Sequence, residues 1–273
     1  MSEDIDLEEL ARQAIAGDRH AVEKLVRSLQ GDVYSLALRM LWNREDAQDA
    51  TQELLVRVVT RLASFDFLSR LRTWVYRVAV NYLLDVKKSA VERMNLSFER
   101  LVEDVQDGLS DTGPPAHEAS VLVEEVKIGC TLAMLQCLDR PHRLAYILGE
   151  IFDLRGPEAA AALGVDAAVL RKRLERARSA VLAFAQSYCG LASDTAACSC
   201  NGRVRAALRL GRVNPDAVTF AEHAVSFDQL RATVRRVEQG RLALELHRSS
   251  RPRAPSRDLV QQIVSAIDAE DPH

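Results

Sequence analysis

The stretch from Asp46 to Lys88, DAQDATQELLVRVVTRLASFDFLSRLRTWVYRVAVNYLLDVKK, limits the choice of fold more than any other part of the chain. It holds two helical patterns of different character joined by a short break. In the first, Leu54, Leu55, Val58, Val59 and Leu62 recur at helical spacing and predict a buried stripe. Asp49, Gln52 and Glu53 stand at i, i+3 and i+4 and form an acidic, amide-bearing patch off that stripe. The second pattern, from Thr73, predicts burial of Val75, Val78, Ala79, Tyr82, Leu83 and Val86. Its opposite face carries Trp74, Arg77, Asn81, Asp85 and Lys88. An indole beside Arg and Asn suits stacking on unpaired bases with the backbone held electrostatically. The same residues also suit a tryptophan folded into the core beneath a solvated charged face, and the residues alone leave both readings open.

"DAQDATQE" followed by "RTWVYRVAVNYLLD" resembles conserved region 2 of the extracytoplasmic-function class of bacterial RNA polymerase sigma factors. The resemblance implies a helix that grips core polymerase through Asp49, Gln52 and Glu53. It also implies a helix that melts and reads the minus-ten promoter element through Arg72, Trp74, Tyr76, Arg77 and Asn81. Two positions depart from the family pattern. Leu71 stands where Phe is usual, and the connection from Phe65 to Arg70 lacks the usual glycine.

Ahead of this stretch, Asp18 precedes a helical pattern through Val22, Leu25, Val26 and Leu29. Gly31-Asp32 is expected to punctuate it before Val33, Leu36, Ala37 and Met40. After it, residues 90–123 read as an acidic, flexible linker with Gly108, Gly113 and Pro114-Pro115. From Ala90 to Val126 nine acidic residues face two arginines, whereas Arg155 to Arg178 holds six basic residues against three acidic. The formal net charge of -3 therefore hides a segregated distribution and does not argue against DNA binding.

Residues 124–188 read as a second helical domain. Asp139-Arg140-Pro141 stops one helix and starts another, and Gly156-Pro157 opens a short helix that ends at Gly164. Asp166 is placed to cap a longer one, which completes a helix-turn-helix. In that longer helix Leu170, Leu174, Ala177 and Val181 predict the buried stripe, with Arg171, Lys172, Arg173, Arg176 and Arg178 available to phosphates or base edges. "LRKRLERARSAV" resembles region 4 of the same family, whose resemblance implies that these five residues read the minus-thirty-five element.

Residues 189–273 form an extension beyond the two family-like regions. Cys189, Cys198 and Cys200 fall in its first stretch, with further apolar helical spacing through Phe227, Leu230, Val234 and Val237, and again through Val260, Ile263, Val264 and Ile267. Three readings of the thiols stand: packed side chains, zinc ligands with a fourth such as His223, or redox sensing through a low-pKa thiolate. Cys130 and Cys137, seven apart with apolar neighbours, read as core. Five cysteines in a chain whose N-terminus lacks the layout of an export signal argue against a disulfide framework and predict a cytoplasmic protein.

The expected fold is all-α. It comprises a region 2 bundle over residues 1–89, the linker, a region 4 helix-turn-helix, and the extension as a candidate controlling element. The partners implied are core RNA polymerase and promoter DNA, with an anti-sigma factor as a third candidate. No cofactor is required, and zinc at the extension cysteines is the one candidate. No Ser-His-Asp set, phosphate-binding glycine loop or metal-hydrolase motif supports an enzyme. A stand-alone helix-turn-helix regulator, or a sensory protein built on degenerate sigma domains, remains the alternative.

Overall fold

Helix ends along the chain fall where side chains replace missing backbone partners. α1 (Leu7–Ile15) starts at Asp6, whose carboxylate accepts the Glu9 N–H, and α2 (Arg19–Leu41) starts at Asp18, which accepts from His20 and Ala21. α3 (Arg44–Thr60) starts at Asn43, which accepts the Asp46 N–H at 2.9 Å. A single 3-10 turn, Leu62–Ser64, leads to α4 (Leu71–Asp85). The chain is described from a computed structural model at residues 6–86, 88, 90–107, 119–216, 218–221 and 247–248, and among them no strand is present.

α2 runs unbroken through Gly31-Asp32, contrary to the expected punctuation. A glycine inside a helix costs about 1 kcal/mol relative to alanine. Here Leu25, Leu29, Val33 and Leu36, each fully buried, more than offset it by holding both halves of the helix on one core.

The chain divides into two compact units. The first contains residues up to 89 together with 154–170. α1 to α4 pack on one another, and α4 also receives α9 (Gly156–Leu163), with Arg70 Nε 3.7 Å from Glu158. The α4 N-terminus is capped from α1, because Glu8 Oε1 accepts the Leu71 N–H at 2.9 Å. Replacing Glu8 with Ala is expected to lower stability by about 1 kcal/mol, the usual worth of a cap, as a shift of the urea midpoint. A midpoint equal to that of the unaltered chain would remove the cap from this account.

The second unit contains residues 90–153 and 171–253. The segment read as a flexible linker supplies two helices, α5 (Ala90–Arg93) and α6 (Phe98–Asp107), while 108–118 lie outside the described residues. Leu101 and Val105 of α6 are buried. α6 packs on α7 (Ala119–Gln136), and α8 (Arg140–Tyr146) follows with a π turn over Ile147–Ile151. α10 (Ala167–Tyr188) begins after Gly164, which takes the left-handed conformation at φ 62°.

The extension is part of this unit's core. Leu191, Cys200, Val204, Ala207 and Val213 are buried with Leu122 and Val123 of α7 and Ala185 of α10. Polar ties reinforce that burial. Asp104 of α6 pairs with Arg203 at 2.8 Å and Arg212 at 2.7 Å, around α11 (Cys200–Arg209). The buried Glu125 carboxylate accepts the backbone N–H groups of Thr219, Phe220 and Ala221 at 2.8, 2.8 and 2.7 Å. The unit boundaries thus differ from the sequence reading. Among the described residues, 90–107 and 189–221 belong to the same unit as α7, and α9 lies in the first unit. The apolar patterns around Phe227 and Val260 fall outside the described residues.

Candidate nucleic-acid interface

Helical spacing places Asp49, Gln52 and Glu53 on the outer side of α3, because Leu54, Leu55 and Val58 occupy its buried side. Asp49 and Glu53 are exposed and Gln52 is half-buried. The patch is less purely acidic than its sequence suggests. Glu53 Oε1 accepts from Arg57 Nε at 2.6 Å, and the Arg57 guanidinium lies 4.8 Å from the centre of the Tyr82 ring. Burial raises the Tyr82 hydroxyl above its ordinary pKa, Glu53 adds to the effect, and Arg57 opposes it.

α4 packs against α1, α2, α3 and α9 through a face somewhat different from the predicted one. Leu71, Val75, Tyr76, Ala79, Val80 and Leu83 are buried, whereas Val78, Tyr82 and Val86 are half-buried. Four packing partners enclose more of the helix circumference than one amphipathic stripe would cover. Tyr76 is the correction that matters for the site: it is 5 % exposed and lies beside Asp32 and Arg72. Its hydroxyl pKa is raised, first by burial and then by the Asp32 carboxylate. Arg72 is exposed, but Asp32 of α2 engages it at 2.6 Å. Neither residue shares the face of Trp74.

Trp74, Arg77 and Asn81 do come together. They line a groove of about 770 Å³ with Arg57, Arg61, Ser64, Asp66, Val78, Tyr82, Asp85 and Val86. Trp74 is half-buried, with its ring centre 5.7 Å from that of Phe65. The indole is therefore held from one side by an aromatic neighbour while part of it lines the groove. Phe67 follows in the left-handed conformation at φ 58°, in the connection that lacks the family's usual glycine. For a bulky residue such a conformation costs about 1–3 kcal/mol. The Phe65 ring at 4.5 Å and the Arg12 guanidinium at 4.9 Å from the ring centre hold it there. Sequence spacing missed the α3 side of the groove, since Arg57 and Arg61 belong to a helix read only for its apolar stripe and acidic patch.

On α10, Arg171, Lys172 and Arg176 are exposed and Arg173 is half-buried. Arg178 is exposed as well, but a carboxylate engages it. Its guanidinium pairs with Glu150 of the π turn, with Nε 3.1 Å from the carboxylate. Leu174 is half-buried rather than sealed, and its side chain lies so close to Gly149 that a Cβ there would meet it at 3.1 Å.

Cys200 is buried, and Cys130, Cys137, Cys189 and Cys198 are half-buried. Cys189 and Cys198 are joined by an isolated backbone bridge. Gly190 donates to the Cys198 carbonyl at 2.9 Å, an approach that no residue with a Cβ could make, since that atom would fall 2.2 Å from the same oxygen. All five cysteines are free thiols. Burial pushes the Cys198 thiol up to about 11 and Cys137 up to about 12, and it also raises Cys130, Cys189 and Cys200. This direction is opposite to that of a low-pKa redox-sensing thiolate. Among the described residues no three His, Cys, Asp or Glu side chains are arranged to hold a metal ion. His223 lies outside the described residues.

Comparison with known proteins bears on these faces. Residues 25–92 match the family described as Sigma-70 region 2. The chain is 32 % identical over 181 residues to RNA polymerase sigma factor NccH of Alcaligenes xylosoxydans xylosoxydans, covering 66 % of this chain and 95 % of that protein. It is 30 % identical over 166 residues to ECF RNA polymerase sigma factor SigE of Mycolicibacterium smegmatis, covering 59 % and 62 % respectively. A solved structure of CnrH in complex with the cytosolic domain of CnrY aligns with a TM-score of 0.45 at 25 % identity, over 64 % of this chain and 93 % of that one. The family match covers the α3–α4 stretch, and NccH is matched over nearly its whole length: this chain belongs to the extracytoplasmic-function family of RNA polymerase sigma factors.

Proposed function

We propose that the protein acts as a dissociable promoter-recognition subunit of RNA polymerase, with separate faces for the polymerase, the melted strand and the upstream duplex. The observation that carries this reading is the groove beside Trp74, where Arg77 and Asn81 accompany an indole supported by Phe65. Aromatic stacking with flanking cations suits an unpaired strand better than a duplex, whose bases are not available for stacking. The exposed Arg171, Lys172 and Arg176 of α10 suit the opposite task, contacts to phosphates and guanine edges in a major groove. Asp49 and Glu53, exposed on α3, supply an acidic patch for core polymerase. Tyr76 leaves the set of nucleic-acid contacts, and Arg72 and Arg178 reach nucleic acid only by exchanging Asp32 and Glu150 for it.

Such a subunit works where polymerase and chromosome meet, in the cytoplasm. In agreement, no helix among the described residues is long and apolar enough to cross a membrane. A stand-alone regulator would leave the Trp74 groove without a task.

Reconstitution with core polymerase tests the assignment through promoter-specific transcription. In that system Trp74→Ala is expected to impair promoter opening, since stacking on each unpaired base contributes about 1–3 kcal/mol. Lys172→Ala is expected to weaken capture of the upstream element with opening preserved once DNA is bound. Normal permanganate reactivity of the bubble with Trp74→Ala would sink the stacking assignment.

A further inference from the structure

The groove has a cation on its α3 side, Arg61, that the family resemblance does not name. Three arginines line it, a fourth stands elsewhere on α4, and their commitments differ. Arg57 is engaged by Glu53 and stacked on Tyr82, and Arg72 is engaged by Asp32 on another side of α4. Arg61 and Arg77 are both exposed, and among the described residues neither guanidinium has an acidic or hydrogen-bonding partner. Arg61 caps α3, and its backbone carbonyl accepts from the Ser64 hydroxyl at 2.7 Å and the Ser64 N–H at 2.8 Å. Those two bonds fix the backbone from which the side chain departs. Two acids also line the groove. Asp66 is committed to its own loop, accepting the Leu68 N–H at 3.0 Å, and Asp85 lies one turn beyond Asn81. The volume falls within the range of about 300–1,000 Å³ typical of small-ligand sites.

We propose that Arg61 is a further nucleic-acid contact, holding together with Arg77 the phosphate backbone of a single strand whose unpaired base lies on Trp74. This rests on the assignment of the Trp74 groove to a melted strand. Geometry favours a strand over a mononucleotide, because the groove places two unengaged guanidiniums on different helices around one stacking surface. A backbone running between α3 and α4 would meet a cation on each wall and the indole between them. The contact is sequence-independent, since it reads phosphate and not base edges.

The test is fluorescence anisotropy of a labelled oligothymidylate titrated with the full chain at several salt concentrations. A duplex of equal length serves as the reference. Each phosphate neutralised on a single strand contributes about 0.7 to the slope of log K against log salt. Arg61→Ala is expected to weaken single-strand binding about 5–10-fold and to reduce that slope by about 0.7, with duplex binding unchanged. Arg61→Lys, which keeps the charge, is expected to retain the slope. If Arg61→Ala matches the unaltered chain in affinity and slope while Trp74→Ala binds weakly, the Arg61 contact is wrong and the groove assignment stands. If the unaltered chain and both variants bind the single strand alike, or not at all, both readings fall. Equal loss on single strand and duplex, with a lowered melting temperature, would make Arg61 a complement to the α3 C-terminus and overturn the proposal.

Discussion

Truncation after Gln186 is expected to unfold the second unit rather than release an unrestrained sigma factor. The cut removes Leu191, Val204 and Val213, all buried against Leu122, Val123 and Ala185. Full burial of such a side chain contributes about 1.5–3 kcal/mol, so their loss alone amounts to about 5 kcal/mol. A domain's whole stability is about 5–15 kcal/mol. The truncation also strands acids that the tail now satisfies. Glu125 would lose three N–H donors, and Asp104 would lose Arg203 and Arg212. Circular dichroism melts and solubility of the two chain lengths measure the effect. A soluble truncated chain that melts as the full chain does, with altered transcription, would assign the extension a controlling task instead.

The second large effect is expected at Glu92, on a four-residue helix within a segment whose composition suggests a plain tether. Its carboxylate accepts from Arg140 Nε at 3.0 Å and Nη2 at 2.7 Å, and from Arg143 Nη1 at 2.9 Å. Arg143 is buried and also donates to the carbonyls of Leu135 and Leu138 at 2.9 Å each, closing the C-terminal end of α7. Burial lowers the Arg143 pKa from its ordinary value, and Glu92 opposes that shift by favouring the charged form. Removing one partner of a buried pair leaves the remaining charge uncompensated, at a cost of about 3–5 kcal/mol. Glu92→Ala is therefore expected to destabilise the second unit by this order, read from the urea midpoint. A midpoint within experimental scatter of the unaltered chain would show that α5 is not a clamp.

Local chemistry was legible in the sequence because it acts over a few residues. Asp18 and Asp139 cap helices through side chains within three positions of the groups they serve, and Gly164 ends one because its backbone takes the left-handed conformation. The shared face of Trp74, Arg77 and Asn81 follows from the helical period alone, as does the exposed basic side of α10. The tertiary structure decided which polar groups remain available. Arg178 is taken by a carboxylate 28 residues away, and Asp104 finds Arg212 at a separation of 108. Periodicity cannot encode such pairs, because it reports which side of a helix is polar and not what meets that side. For the same reason the acids of residues 90–107 read as a solvated tether, while Glu92 and Asp104 are in fact bound by arginines from distant elements. Tyr76 was misplaced because packing by four helices buries more of α4 than an amphipathic stripe predicts. Arg61 went unnoticed because its importance exists only once α3 and α4 stand side by side.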